Sequence, residues 1–408
     1  MAIPKLILRN NPAYKESSLL GYQPLANNKI APIPFSFTRA SAGSVEKKAG
    51  IVEMPSDFPR IDKDGSILLE PARTNLFLWS EDFGAATWTK TNSSISTNVT
   101  EAPNGVITAD KLESSADQTA GVLIRAIGTT SVGLDYTTSL YVKAEEATFI
   151  QIAYGSGVVA GNPRANYNLS NGTIETVDAG IEAGIEKLND GWYRIKATST
   201  AASSTFNVFI SIIQSGTDTR TQANTWNSGD GLYIWNAQLE EGSYPTTPIK
   251  TEGATATRLV DDVNTTFGTP FAVTTQGTFF YSLKGLESGE GVGVSSPFIR
   301  LQQDSDNYAG VSLSSVWRGR FNHLGVGYLN SSPISVLDDV KMILTFSSNG
   351  WKMFANGAEF ASGTEVFSFT GISDFVNIAV EDRGVQRLRE MSLFDVALTD
   401  AECINLTK

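Results

Sequence analysis

Phe206-Asn207-Val208-Phe209-Ile210-Ser211-Ile212 is the stretch of sequence that decides the fold class. Its even-numbered positions are all apolar, and they share one face of a β-strand because successive side chains of a strand point to opposite faces. In residues 232–239, the same rule predicts that Tyr233, Trp235 and Ala237 face one way. Further strand candidates are residues 140–142, 149–152, 192–195, 277–282, 298–301, 341–346 and 351–355.

Turn dipeptides separate these stretches. Asn171-Gly172 and Asp190-Gly191 lie beside candidate strands, and Asn349-Gly350 joins residues 341–346 to 351–355. Asn or Asp followed by Gly favours a tight hairpin, because the turn needs positive φ angles. Many short strands joined by such turns predict an all-β chain with antiparallel jelly-roll or β-sandwich domains.

The one helix that the sequence predicts begins near the C-terminus. Thr399 is a capping residue, and Glu402 three positions later completes a capping box, so we expect a helix of one or two turns from Asp400 to about residue 406. The single cysteine, Cys403, lies in this segment and excludes an intrachain disulfide. We expect it to pack as a small buried apolar residue.

Composition limits the partners. The 408 residues carry a formal net charge of −12, which disfavours nucleic acid and anionic membranes as partners. A neutral glycan remains compatible with this charge. No stretch approaches the ~20 apolar residues that span a bilayer, and we expect neither an export signal nor membrane insertion.

The chain divides into three parts. Residues 1–72 contain prolines at positions 24, 32, 34, 55, 59 and 71, so we expect an extended arm with short strands and no long central strand. Residues 73–258 and 259–408 each have the strand and turn pattern of an antiparallel β-domain. The fold class is therefore an all-β chain with an N-terminal extended arm and two jelly-roll or β-sandwich domains.

Three blocks resemble known families. Residues 37–41 (FTRAS), 65–76 (GSILLEPARTNL) and 79–83 (WSEDF) resemble the N-terminal region of many phage virion and tail-associated proteins. The block from 88 to 258 is similar to the carbohydrate-binding-module-like sandwich that follows in those proteins. Residues 259–408 resemble a concanavalin A-like or laminin-G-like jelly roll. The marks of the last two blocks are 109–112 (ADKL), 190–194 (DGWYR), 235–242 (WNAQLEEG), 351–357 (WKMFANG) and 391–402 (MSLFDVALTDAE).

The resemblance implies a phage fibre, spike or decoration protein, assembled in the host cytoplasm and located in the virion. Residues 1–72 would be the virion-attachment arm that binds other virion proteins, and the two domains would contact host or environmental glycans. We expect a homo-oligomer, by analogy a trimer. Two alternatives stay open, namely a purely structural capsid or tail component without a ligand and a polysaccharide-degrading phage enzyme.

Catalysis is not expected. The single histidine, His323, has no nucleophile motif beside it, and one His with one Cys cannot build the usual zinc site. The adjacent pair Glu240 and Glu241 would point to opposite faces of a strand, as would Glu145 and Glu146 if they lay in one. A glycosidase needs two carboxylates at a defined separation, and neither pair provides them.

Two kinds of binding residue remain. Asp304, Asp306 and Asn307 place three oxygen-bearing side chains in one turn, which makes Ca²⁺ the candidate ion, with a solvated acidic turn as the alternative. Sugar rings pack on flat aromatic rings, so tryptophans in polar loops are the candidate ligand contacts. Trp226 and Trp317 have such surroundings, and Tyr154 precedes a Gly-Ser-Gly stretch, whereas Trp192 and Trp235 lie in strand patterns and are expected in a core.

Overall fold

The computed structural model describes residues 2–15, 18–25, 29–155, 163–285, 294–313, 316–336, 338–377 and 385–408. Strands dominate these ranges, and the only α-helix in them lies at the C-terminus. The prediction of an all-β fold is confirmed. No helix in these ranges has the length and apolar character needed to cross a membrane.

The strands follow one another at short intervals. Up to residue 91 they are β1 (Leu6–Leu8), β2 (Ala13–Lys15), β3 (Ser18–Pro24), β4 (Ile30–Thr38), β5 (Gly43–Lys47), β6 (Gly50–Met54), β7 (Ile67–Leu69), β8 (Arg73–Asn75) and β9 (Thr89–Thr91). The next are β10 (Ser93–Glu101), β11 (Ile107–Ser114), β12 (Gln118–Ala120), β13 (Val122–Thr129), β14 (Asp135–Lys143), β15 (Phe149–Tyr154), β16 (Arg164–Asn168), β17 (Thr173–Val177), β18 (Glu182–Lys187), β19 (Trp192–Thr200), β20 (Thr205–Ile213), β21 (Asn224–Trp226) and β22 (Gly231–Glu241). The remaining elements are β23 (Ala256–Arg258), β24 (Asp262–Phe271), β25 (Gly277–Leu283), β26 (Val294–Asp304), β27 (Asn307–Leu313), β28 (Val316–His323), β29 (Val326–Ser335), β30 (Val340–Ser347), β31 (Gly350–Ala355), β32 (Ala358–Gly363), β33 (Ile372–Asn377), β34 (Gln386–Phe394) and the helix α1 (Asp400–Thr407).

The chain forms two compact units. Unit 1 contains residues 1–45, 54–72 and 259–408, and unit 2 contains residues 46–53 and 73–258. The structure therefore differs from the predicted separate arm over residues 1–72. The reason is strand pairing, because β1 and β7 pair with β34 and β4 pairs with β24. These pairings over long sequence separations leave no local signal in residues 1–72.

Unit 1 is built on one 16-stranded sheet, with strand order β29-β28-β27-β26-β33-β24-β4-β3-β1-β34-β25-β30-β31-β32 and with β2 and β7 beside this path. Its two halves share a core, in which the Phe321 ring of β28 lies 6.0 Å from the Phe346 ring of β30. The expectation of no long central strand was wrong for β4, which lies between β3 and β24. Pro32 and Pro34 are tolerated because the ladder to β24 begins only at Ser36.

Unit 2 is a β-sandwich of two six-stranded sheets. Sheet I has the order β10-β11-β22-β14-β19-β18, and sheet II has the order β17-β16-β15-β20-β13-β9. Between the two sheets lies a core that includes all the even-numbered side chains of residues 206–212, each fully buried. The alternation that decided the fold class is therefore confirmed. The Tyr154 hydroxyl of sheet II donates a hydrogen bond to the carbonyl oxygen of Ala197 in sheet I at 2.6 Å, which joins the two sheets.

A bulge in β22 changes which face its side chains occupy. Asn236 has a φ of 45°, and the pairing of β14 with β22 shifts register at this point. Trp235 packs on the outer side of sheet I, whereas Ala237 lies in the core between the sheets. The prediction that Tyr233, Trp235 and Ala237 share one face was therefore wrong, because an extra residue in one strand reverses the alternation beyond it.

The C-terminal helix agrees with its sequence signal. Thr399 Oγ1 accepts a hydrogen bond from the Glu402 backbone N–H, and the Glu402 carboxylate accepts one from the Thr399 backbone N–H. Cys403 is fully buried on this helix, as predicted. Burial raises the pKa of its thiol to about 12, so the thiolate that would react is scarce at neutral pH.

Candidate functional site

Trp226 does not lie in an exposed loop. It ends β21, pairs with Gln118 of β12, and packs into the core of unit 2 with 4% of its surface exposed. Thr225, the residue before it, is exposed. The polar residues around Trp226 in the sequence therefore belong to the solvent side of a short strand, and the prediction of a ligand contact disagrees with the structure.

Trp317 and Tyr154 are likewise core residues. Trp317 is 1% exposed in unit 1, and its Nε1–H donates to the Asp338 carbonyl oxygen at 2.9 Å. Tyr154 is fully buried in unit 2, where its ring lies 5.1 Å from that of Phe206. Burial raises the pKa of Tyr154. Neither side chain can reach a sugar, so both predicted contacts are corrected.

The predicted calcium residues close the turn between β26 and β27. The Asp304 carboxylate accepts hydrogen bonds from the Asp306 backbone N–H and the Asn307 side-chain amide, each at 2.9 Å. Asn307 Oδ1 accepts from the Leu324 backbone N–H at 3.0 Å. Burial raises the pKa of Asp304, but hydrogen bonds led by that from Asn307 outweigh it and lower the pKa. Since the side-chain oxygens of Asp304 and Asn307 serve the turn, this geometry disagrees with a calcium site. Among the described residues, no group of three or more His, Cys, Asp or Glu side chains could hold a metal.

Several of the sequence marks quoted above have internal roles in unit 2. Asn75 is fully buried, and its amide donates to the carbonyl oxygens of Ala237 and Ile249 at 3.1 and 3.0 Å. Its Oδ1 accepts from the backbone N–H of Leu239 at 3.1 Å. Glu240, also buried, accepts from the Thr246 backbone N–H at 3.0 Å. These polar groups hold the segment after β22 against the strands.

The same holds for the marks that lie in unit 1. Arg39 is buried, and its Nη1 lies 3.1 Å from Asp261 Oδ1. Arg60 forms ion pairs with both Glu70 and Asp261, and all of these side chains are essentially without solvent exposure. A buried charge network of this kind holds the N-terminal residues of unit 1 to its C-terminal part.

The outer face of sheet I carries a row of alternating aromatic and basic side chains. Trp192 of β19 is paired with Lys143 of β14, Lys143 with Tyr233 of β22, and Tyr233 with Lys111 of β11. We call these four residues the aromatic–lysine row. Neighbouring strands are about 4.8 Å apart, so the row spans roughly 15 Å. The sequence neighbours Val142 and Ile234 lie in the core between the sheets, so the row faces outwards.

A second, smaller apolar cluster supports this row. It contains Trp192, Trp235 and Tyr141, with the Tyr141 and Trp235 rings 5.3 Å apart and the Arg194 guanidinium 5.3 Å from the Tyr141 ring centre. Ile51, from residues 46–53, covers part of the cluster. Trp192 and Trp235 are therefore buried as predicted, but on the outer side of the sheet. The run of apolar residues from 232 to 235 was the available signal, because a strand buried on both faces lacks alternation.

A cavity of about 170 Å³ opens beside Trp192. Its walls are residues 46 and 49–50, residues 100–103 and 105, and residues 188–190, with Lys143. Asn189 Nδ2 donates to the Lys48 carbonyl oxygen at 2.6 Å, which joins two of these walls. Gly50 has a φ of 130°, and a Cβ there would lie only 2.4 Å from the Pro103 carbonyl oxygen. The close approach of the backbone at Gly50 therefore shapes the cavity.

The arrangement provides the groups that contact a sugar. Trp192 contributes to the wall, although only 2% of its surface is exposed, so the carboxylates of Glu46 and Glu101 and the ammonium group of Lys143 are the main groups that a ligand in the cavity would meet. Aromatic rings pack against the C–H faces of sugars, and a few polar groups fix the hydroxyls. Further along the row, burial and the Glu145 carboxylate raise the pKa of Tyr233, whose side chain hydrogen-bonds Glu145.

Comparison with known proteins leaves the family open. No protein-family model matches the chain, and no curated protein matches it in sequence. Solved structures with slight similarity include domain 4 of AbnA, an extracellular GH43 arabinanase from Geobacillus stearothermophilus, in complex with arabinotriose (14% identity, 38% of this chain and 77% of that chain, TM-score 0.29). Others are the Ruminococcus gnavus IT-sialidase CBM40 bound to α2,6-sialyllactose (14%, 36% and 96%, 0.26) and the LG4–5 domains of the mouse laminin α1 chain (11%, 74% and 94%, 0.24).

Proposed function

We propose that this chain is a structural protein of a phage particle that binds a host or environmental glycan at the cavity beside Trp192. The ordered sequence marks support the phage assignment, and they favour a fibre, spike or decoration protein. The cavity is the single observation that carries glycan binding, because carboxylate, amide and ammonium groups converge there beside a largely buried tryptophan.

The proposed site binds without cleaving. Glycoside hydrolysis uses one carboxyl group that burial keeps protonated beside a second that stays ionised. Glu101 and Asp190 at the cavity are both exposed to solvent, so neither has the buried surroundings of such an acid. Sugar hydroxyls would accept from Lys143 and donate to Glu46 and Glu101, which fits a neutral glycan despite the negative charge of the chain.

Binding of the labelled, purified chain to intact bacteria tests the proposal, with Trp192→Phe and Lys143→Ala as variants. Trp192→Phe replaces the indole in the cavity wall by a smaller ring but keeps an apolar side chain in the supporting cluster. Loss of one aromatic or polar sugar contact is expected to weaken binding by about tenfold. Lys250→Ala is the matched control, because Lys250 is an exposed lysine of the same unit and lies outside the cavity.

Saturable binding that cell-surface polysaccharide competes away, with loss in both cavity variants but not in Lys250→Ala, supports the proposal. Equal binding by all variants places the site elsewhere. Absence of binding to every bacterium tested argues for a second candidate, a purely structural component of the particle. That candidate is favoured by one observation, namely that four residues of the sequence marks, Asn75, Glu240, Arg39 and Glu70, are all engaged internally.

A further inference from the structure

Three arginines lie on the outer face of unit 1, on neighbouring strands. Arg300 is on β26, and Arg318 and Arg320 are on β28, with β27 between them. The core residues Trp317 and Phe321 alternate with the β28 arginines, so the arginines face away from the core. In register, Gly310 of β27 lies opposite both Arg300 and Arg320, which leaves no side chain between them.

Two of these guanidinium groups converge on one ring. Arg300 Cζ lies 4.8 Å from the centre of the Tyr308 ring, and Arg320 Cζ lies 5.8 Å from the same point. Among the residues that the structure describes, no carboxylate forms an ion pair with Arg300, Arg318 or Arg320. The Asp374 carboxylate is opposite Gln302 in register but, like the other described carboxylates, forms no ion pair with these arginines, so two like charges are held close together, which is unfavourable, in a chain with a net charge of −12.

Hydrogen bonds within the protein use only part of the donors of this cluster. Arg320 Nη2 donates to Asn322 Oδ1 at 3.3 Å, and Arg318 Nε donates to Ser331 Oγ at 3.2 Å. Arg300 also hydrogen-bonds the Tyr308 side chain, and because a guanidinium has five N–H donors, these contacts use only part of the donor set. The Nε atoms of Arg300 and Arg320 are buried without a partner, and so is the acceptor Gln302 Oε1 beside them.

We propose that Arg300, Arg318 and Arg320 form a binding site for the carboxylates of an acidic polysaccharide. The planar guanidinium fork matches a carboxylate through two parallel hydrogen bonds. Gln302 is on the same face, opposite Tyr308 in register. This site is in unit 1 and rests on its own observations, so its test is independent of the glycan site proposed at the cavity beside Trp192.

Binding of the full chain to immobilised polygalacturonate tests this site, with neutral dextran and dextran sulfate as parallel surfaces. The double variant Arg300→Gln/Arg320→Gln is expected to lower the affinity for polygalacturonate by at least about tenfold. Arg125→Gln is the matched control, because Arg125 is a partly buried arginine of unit 2 whose Nε also lacks a partner.

A further variant moves a guanidinium without removing a charge. A Cβ at Gly327 would lie 2.4 Å from Arg320 Nη2, the far end of a flexible side chain, so Gly327→Ala displaces Arg320 at little cost in stability. The affinity of Gly327→Ala for polygalacturonate should fall, while that of Arg125→Gln should not. Phenylglyoxal labelling of the unmodified protein adds a measurement without mutation, since polygalacturonate should protect Arg300 and Arg320 from modification but not Arg125.

The proposal is supported if the unmodified chain binds polygalacturonate better than dextran sulfate, with the losses and the protection named above. It is overturned if polygalacturonate does not bind, if Arg125→Gln loses as much affinity as the double variant, or if protection does not distinguish Arg300 from Arg125. Equal or tighter binding of dextran sulfate would reject the carboxylate in favour of any polyanion. If the double variant does not fold, Gly327→Ala and the labelling decide.

Discussion

Replacing Asp261 by asparagine is expected to destabilise unit 1 strongly. The Asp261 carboxylate is fully buried and accepts three hydrogen bonds, from Arg39 Nη1 at 3.1 Å, from Arg60 Nη2, and from the Glu70 backbone N–H at 2.8 Å. Its two oxygens thereby join residues close to the N-terminus to the start of β24. Asparagine keeps the shape but removes the charge and one acceptor.

The expected cost follows from the charge balance. Without Asp261, the two arginines are left with the single carboxylate of Glu70, so one positive charge becomes buried and uncompensated. Breaking a buried ion pair by removing one partner costs about 3–5 kcal/mol. In a unit of this size, each 1 kcal/mol lowers the melting temperature by about 2–4 °C. We therefore expect a decrease of roughly 6–20 °C.

Calorimetry measures the melting temperature, and hydrogen exchange followed by mass spectrometry reports the local stability of each unit separately. Peptides from β4 and β24 should exchange faster in Asp261→Asn, while peptides from β20 in unit 2 should not change. The next residue supplies the control. Asp262 is half-buried, and burial raises its pKa, so its charged form is already disfavoured and Asp262→Asn should cost little at pH 7.

Two results would refute this reasoning. A loss of less than about 1 kcal/mol in Asp261→Asn would mean that the network does not hold the unit together, in contrast to typical buried pairs. Equal destabilisation by Asp261→Asn and Asp262→Asn would show that any substitution at the start of β24 has the same effect, independent of the buried arginines.

Three further predictions concern single residues. Burial raises the pKa of Asp110 to about 6, so between about pH 4 and 6 the folded state binds more protons than the unfolded state. The free energy of unfolding should therefore fall by up to about 3 kcal/mol as the pH rises through this range. Urea titrations at about pH 4 and 7 should show a smaller fall in Asp110→Asn, and an unchanged fall would contradict the assignment to Asp110. Thr399→Ala removes the Oγ1 acceptor of the Glu402 backbone N–H but keeps the backbone N–H that donates to the Glu402 carboxylate. It should cost about 1 kcal/mol, measured by hydrogen exchange in α1, while a change in unit 2 would count against a local effect. Asn236→Gly should leave the free energy of unfolding nearly unchanged, whereas Asn236→Val should lower it by roughly 1–3 kcal/mol, because the bulge needs a positive φ at this residue. Thermal unfolding measures both, and equal stability of the two variants would argue against that conformation.

Local signals were sufficient for part of this protein. The alternation in β20, the Asn-Gly turn at Asn349 and the capping box at Thr399 each predicted an element that the structure contains. The reason is range, because strand alternation, hairpin turns and helix caps depend on residues within a few positions of one another. Burial of Cys403 followed for the same reason, since it lies on the short helix that the cap begins.

Only the tertiary structure decided the rest. Trp226 and Trp317 have polar sequence neighbours, yet a short strand pairing and the core packing of unit 1 bury them. The joining of residues 1–45 with residues 259–408 rests on pairs such as that of β1 with β34, and the Arg39–Asp261 ion pair connects residues 222 positions apart. Sequence by itself determined where strands and turns form, because those preferences are local. The partners of each strand, and therefore which aromatic and basic side chains meet, depended on contacts between residues that are far apart in the chain.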